Sequence, residues 1–138
     1  MEDFNYIVNY EGELITKAVH VFSGTTIYTD APLDNYGKAS SFSPTDLVSA
    51  ALVSCMLSII AIHYNKSDVK VKPIQSKVKK VMASNPRRIA EIQIEFDFGD
   101  NNFSAKELEQ IERLAHACPV ANSLSKEIII KTNFTKTN

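Results

Sequence analysis

The stretch SPTDLVSAALVSCMLSIIAIHY, residues 43–64, decides how this chain folds. Ser43 is a good N-cap, and Pro44 suits the first helical position, where its missing N–H is not needed. Asp46 follows in the first turn, near the positive end of the helix dipole. A helix is predicted from Pro44 to about Tyr64. Its centre is apolar almost all round, which marks a helix buried in a core and not one laid on a surface. A chain of 138 residues has little else with which to cover a helix on every side. A second subunit would supply the rest, so the helix is a first indication of a dimer.

The same helix raises the question of a membrane. Its longest apolar segment, residues 47–62, is 16 residues long and holds three serines. A span needs about 20 mostly apolar residues. The opening MEDFNYIVNY carries acids where a secretion signal has bases, and it lacks a continuous apolar region. The expectation is a soluble, cytoplasmic protein without a membrane partner. Apolar residues make up 44% of the chain, which speaks against disorder. The 15 basic and 16 acidic residues leave a net charge of -1, which gives no electrostatic case for nucleic acid. Lys70, Lys72, Lys77, Lys79 and Lys80 cluster, but in alternating sequence that reads as a solvated sheet face.

On the N-terminal side of the helix, residues 4–10 and 13–22 alternate roughly between apolar and polar, with Glu11-Gly12 as a turn signal. Residues 25–30 form a third short strand, and the polar segment 31–42, with Pro32 and Gly37, reads as a loop with scope for movement. On the other side, residues 69–82 and 89–98 alternate at period two around the turn-like ASNPR, predicting a long hairpin. Pro73 belongs at an edge or bulge. Ser104 and Glu107 form a capping box that opens a helix through about Ala117. Pro119 stops or kinks that helix, with room for one further short turn. Residues 127–134 close the chain as a strand. The expected order is β-β-β-α-β-β-α-β, an α+β fold in a single domain over residues 1–138.

Two cysteines carry the chemistry. Cys55 lies mid-helix, where a buried thiol is most simply packing and where the helix dipole gives little help. Cys118 stands before Pro119. If Pro119 opens a short helical turn, Cys118 is its N-cap, and free N–H groups there favour a thiolate. His116, two residues earlier, could assist it. In a cytoplasmic chain the pair is not expected to form a permanent disulfide, although a reversible one fits. A Cys-x-x-Cys motif is absent. Cys55, Cys118, His20, His63 and His116 show no metal-ligand spacing, and His63 lies about 12 Å along the helix from Cys55, too far to act on it directly. No phosphate loop or hydrolase motif is present, so no cofactor or metal is expected.

SPTDLVSAALVSCM, with a cysteine eleven residues after the proline, resembles the first signature of the OsmC/Ohr family of osmotically inducible and organic hydroperoxide resistance proteins. HACPVANSLS resembles its second signature, a Cys-Pro-Val at a helix break. DAP near residue 30 and NPRRI at 85–89 resemble the OsmC-like branch. The resemblance implies an OsmC-like fold, an intertwined homodimer and thiol-dependent reduction of organic hydroperoxides. It implies that Cys55 attacks the peroxide, that Cys118 resolves the sulfenic acid as a disulfide, and that an external dithiol restores both thiols. Val48, Leu52 and Ile59 near Cys55 on the helix would suit an alkyl hydroperoxide.

This sequence departs from the family pattern at two places. Characterised members hold the thiolate with an arginine from the N-terminal strands, but here no arginine precedes Arg87. Arg87 and Arg88, at the hairpin tip, are candidate cations, and Lys17 and Lys38 are others. The family glutamate after the proline is here Thr45. Asp46 lies nine positions before Cys55, which at about 100° per residue puts it on the opposite side of the helix. These departures leave two further readings: a non-catalytic dimeric module that binds a small lipophilic ligand, and a redox sensor using the same two cysteines.

Overall fold

In the computed structural model, residues 3–135 are described. The chain divides into two compact units, one ending at Leu47 and one beginning at Val48.

The first unit is a three-stranded antiparallel sheet ordered β1-β2-β3: β1 (Tyr6–Gly12), β2 (Ile15–His20) and β3 (Thr26–Asp30). The first turn falls at Glu13 and Leu14, two residues beyond the expected position. Both have positive φ, 54° and 66°, the backbone of a type I′ hairpin turn. Gly12 pairs with Ile15 after a bulge that takes up one residue following Tyr10. The glycine therefore sits beside the turn instead of inside it. The Thr16 and Thr29 hydroxyls hydrogen-bond across β2 and β3.

The loop after β3 is closed on itself. A single 3-10 turn, Leu33–Asn35, is followed by Tyr36 in the left-handed region. Gly37 N–H donates to Pro32 C=O at 3.0 Å and Ala39 N–H to Ala31 C=O at 3.3 Å. Asp30 is buried, and its Oδ2 accepts from the Ser40 N–H at 2.9 Å and the Ser40 hydroxyl at 2.6 Å. Those bonds hold its carboxyl below the usual aspartate range. The expected open loop is thus pinned at both ends.

Helix α1 (Pro44–Asn65) starts as predicted. Ser43 Oγ accepts from Asp46 N–H at 3.1 Å, and Asp46 Oδ2 accepts from Ser43 N–H at 2.9 Å. Asp46 therefore closes the helix end, the first-turn role its position suggests. The helix buries one stripe: Ser49, Leu52, Val53, Met56, Ile60 and Tyr64. Ala51, Ser54, Ser58 and Ile62, on another side, stay exposed in the single chain. The Ser54 and Ser58 hydroxyls bond back to the carbonyls of Ala50 and Ser54, so they present few free polar groups. By length and composition α1 could cross a membrane, and core helices of soluble proteins have the same character.

The second sheet is ordered β4-β5-β6, from β4 (Gln75–Ala83), β5 (Arg88–Asp97) and β6 (Ile129–Thr135). The first two are antiparallel, and β6 runs parallel to β5. A parallel neighbour needs a crossover, here made by α2 (Ala105–His116) and α3 (Pro119–Ser123). Residues 69–74, expected in the strand, lie outside it. The Asn101 side chain occupies the Lys72 backbone N–H and C=O there, and Pro73 has no N–H to offer a ladder. Lys77 and Lys79 are exposed, as a solvated sheet face requires.

Ile92, Ile94, Phe96 and Phe98 of β5 and its end join Leu52, Met56 and Ile60 of α1 and Ile111 and Ala115 of α2 in one core. Phe98 meets Phe103 edge-on at 5.3 Å. The Tyr64 hydroxyl donates to Gln110 Oε1 at 2.9 Å, tying α1 to α2. Burial and the neighbouring Glu107 carboxylate push that hydroxyl's pKa up. The predicted capping box of α2 forms in full, with Glu107 N–H on Ser104 Oγ and Ser104 N–H on Glu107 Oε1.

Candidate functional site

Both cysteines are reduced, Cys55 half-buried and Cys118 buried. Cys118 caps α3: its Sγ accepts from the Ala121 N–H at 3.4 Å. The sequence favours this geometry because Pro119 cannot extend α2, yet its fixed φ suits a new helical start. Asn122 Nδ2 donates to Ala117 C=O at 3.1 Å and fastens the break from the other side.

The fold places the two thiols near enough for Cys55 to act on the Cys118 thiol. Burial and the Cys55 thiol beside it push the Cys118 thiol up, while the Ala121 and Val120 N–H groups pull it down. Burial dominates because nothing solvates the thiolate except those amides.

The other candidates lie as follows. Thr45 Oγ1 is 3.3 Å from Ser43 Oγ in the α1 cap. The Arg88 guanidinium donates to the carbonyls of Ser84 and Pro86, both at 2.9 Å, and so braces the β4–β5 turn. Arg87 is within that turn. Lys17 is in β2, opposite Tyr28, and Lys38 is in the pinned loop. His116, placed by the sequence near Cys118, instead shares a hydrogen bond with Thr132 Oγ1 at 3.1 Å. A groove of about 780 Å³ lined by Val78, Ile94, Glu112, His116 and Thr132, among others, includes neither cysteine. No cluster of three or more metal-ligating side chains occurs among the described residues.

A helix-borne cysteine facing a second one at a helix break, within an α+β fold of two three-stranded sheets, defines a dithiol protein of a particular kind. Residues 37–133 match the profile described as OsmC-like protein, and the chain belongs to that family. A crystal structure from Psychrobacter arcticus 273-4, described as an osmotic stress induced and detoxification response protein, is 38% identical over 98% of both chains, with a TM-score of 0.92. An organic hydroperoxide resistance protein OsmC from Legionella pneumophila is 14% identical over 98% of this chain and 99% of its own, with a TM-score of 0.75. An OsmC-like protein from Mycoplasma pneumoniae is 20% identical over 99% of this chain and 100% of its own, with a TM-score of 0.76. At those identities the last two show the fold, which is one that organic hydroperoxide resistance proteins share. No curated protein matches the chain.

Proposed function

We propose that this protein is a thiol-dependent peroxidase that reduces organic hydroperoxides, acting as a cytoplasmic homodimer. The observation that carries the reading is that Cys55 on α1 and Cys118 at the α2–α3 break lie near enough for one thiol to act on the other, both of them free. Cys55, the more accessible thiol, attacks one peroxide oxygen as a thiolate. The O–O bond breaks, the alcohol leaves and Cys55 becomes a sulfenic acid. Cys118 then attacks the Cys55 sulfur, water leaves, and a disulfide forms without a long movement. An external dithiol, itself oxidised to a disulfide, returns both thiols. Arg87 and Arg88 are retained as candidate cations that the second subunit would bring to the thiolate.

The homodimer is supported by apolar surface left uncovered in one chain. Tyr6, Val8 and Tyr10 of β1 are 62%, 59% and 65% exposed. The small-residue side of α1 would let a second α1 approach closely. Light scattering of the purified protein tests this, and a monomer at micromolar concentration would remove the argument.

The catalytic reading is tested by single-turnover oxidation of the reduced protein with cumene hydroperoxide and with hydrogen peroxide, followed by mass spectrometry. Fast reaction with the organic peroxide, abolished in Cys55→Ser and halted at sulfenic acid in Cys118→Ser, is expected. Rates no greater than those of a free thiol defeat it. A redox-sensor reading is favoured by one observation, that no arginine precedes Arg87, so the N-terminal strands offer none to the thiolate. A slow oxidation that still ends in the disulfide would select it.

A further inference from the structure

We propose that the reducing dithiol attacks the sulfur of Cys55, and that Cys118 is the sulfur that leaves. This rests on the peroxidase reading, in which a Cys55–Cys118 disulfide forms.

Either sulfur of such a bond could in principle receive the nucleophile. Attack requires an approach along the S–S axis from the side opposite the leaving sulfur, so access matters first. Cys118 has no exposed surface. It is closed in by the first turn of α3 and by the core that contains Ile111 and Ala115. Cys55 is half-buried and packs against the margin of that core.

The second consideration is where the leaving charge goes. A thiolate departs faster when its surroundings stabilise it; burial opposes the Cys118 thiolate, and the amides at the start of α3 reduce that cost without cancelling it. The N–H of Ala121 points at the Cys118 sulfur, and that of Val120 also acts on it. Cys55 has no equivalent. It lies in the middle of a 22-residue helix whose backbone N–H groups are already used in the helix itself. Once Cys55 is bound to the reductant, its thiol no longer pushes Cys118 up, but burial, the largest effect, still does, so access to Cys55 sets the direction of attack.

The steps balance as follows. One thiolate of the external dithiol forms a bond to Cys55 Sγ, and the Cys55–Cys118 bond breaks with its electron pair going to Cys118, which then takes a proton. The second thiol of the reductant, as thiolate, attacks its own bound sulfur and releases the Cys55 thiolate. The dithiol has lost two electrons and two protons, and the protein has gained them.

The test uses a monothiol, which halts after the first step. Protein oxidised with cumene hydroperoxide is exposed briefly to glutathione, quenched in acid, alkylated and mapped by peptide mass spectrometry. Glutathione on Cys55, with the alkyl group on Cys118, in at least about tenfold excess over the reverse pattern is expected from buried against accessible sulfur. Glutathione mainly on Cys118, or equally on both, overturns the proposal. If the peroxide forms no disulfide, the peroxidase reading fails, and diamide-oxidised protein decides the direction of attack by the same map. A pair that diamide cannot join overturns both.

Discussion

Gly37→Ala is the sharpest probe of the pinned loop. A Cβ on residue 37 would stand 1.7 Å from the Ala31 carbonyl oxygen, 2.2 Å from its carbon and 2.6 Å from the Ala31 Cβ. These are backbone atoms and a rigid methyl, so no side chain can swing aside. Ordinary contact needs more than 3 Å, and the two segments must separate by more than an ångström. That displacement reaches the Gly37-to-Pro32 and Ala39-to-Ala31 hydrogen bonds directly. Two hydrogen bonds are worth about 1 kcal/mol each, and overpacking adds about 1–3 kcal/mol. These sum to roughly 3–5 kcal/mol, and up to about 1 kcal/mol is offset because alanine restricts the unfolded chain, leaving a loss of roughly 2–5 kcal/mol. Urea unfolding should show a lower midpoint at an unchanged slope. Amide exchange at Ala39 and Ser40 should quicken. A variant within about 0.5 kcal/mol of the parent would refute the close approach of these backbones.

Four further outcomes are expected. Since the Ser40 bonds lower the Asp30 pKa, their stabilisation is in place above about pH 4 and is lost as pH falls through the lowered value; an acid titration of Asp30→Asn should lack that part of the fall. Ser104→Ala removes one arm of the capping box and should cost about 1 kcal/mol in denaturant unfolding, whereas no loss would mean solvent serves that helix end equally well. Leu52→Ala empties a fully buried site in the core and should cost roughly 2–5 kcal/mol; a near-neutral result would place Leu52 outside the core. Cys55→Ala removes a neighbour that pushes the Cys118 thiol up, so thiolate absorbance of Cys118 should rise at lower pH than in the parent, and an unchanged titration would separate the two thiols.

Much of this was legible because local chemistry and tertiary structure agreed. Ser43, Pro44 and Asp46 announce the start of α1, Ser104 and Glu107 that of α2, and Pro119 that of α3, each through a hydrogen bond or dihedral a few residues long. The misreadings arose where distant groups decide. Glu11-Gly12 looked like the turn, but strand register put it at Glu13 and Leu14, two residues that seldom take positive φ. Residues 69–74 alternate like a strand, yet Asn101, far along the chain, takes the Lys72 backbone. The loop at 31–42 is polar and looked free to move, because the need for glycine at 37 arises from a contact with Ala31 that composition does not show. Likewise, the two signatures named Cys55 and Cys118 by resemblance, while their nearness depends on how α1 packs beside the α2–α3 break.

That nearness has a thermodynamic side. A bond between Cys55 and Cys118 closes a loop of roughly 60 residues, which in the chain-entropy view removes about 4 kcal/mol of freedom from the unfolded chain. Folding and oxidation then favour each other by the same amount. For a two-electron couple this is on the order of 90 mV, so the folded protein would hold such a disulfide at a lower potential than the unfolded chain. With that bond formed, the native state would act as a redox buffer component in its own right: whatever reduced it would have to be a stronger donor than the bare thiols require, and unfolding would release oxidising power along with the chain.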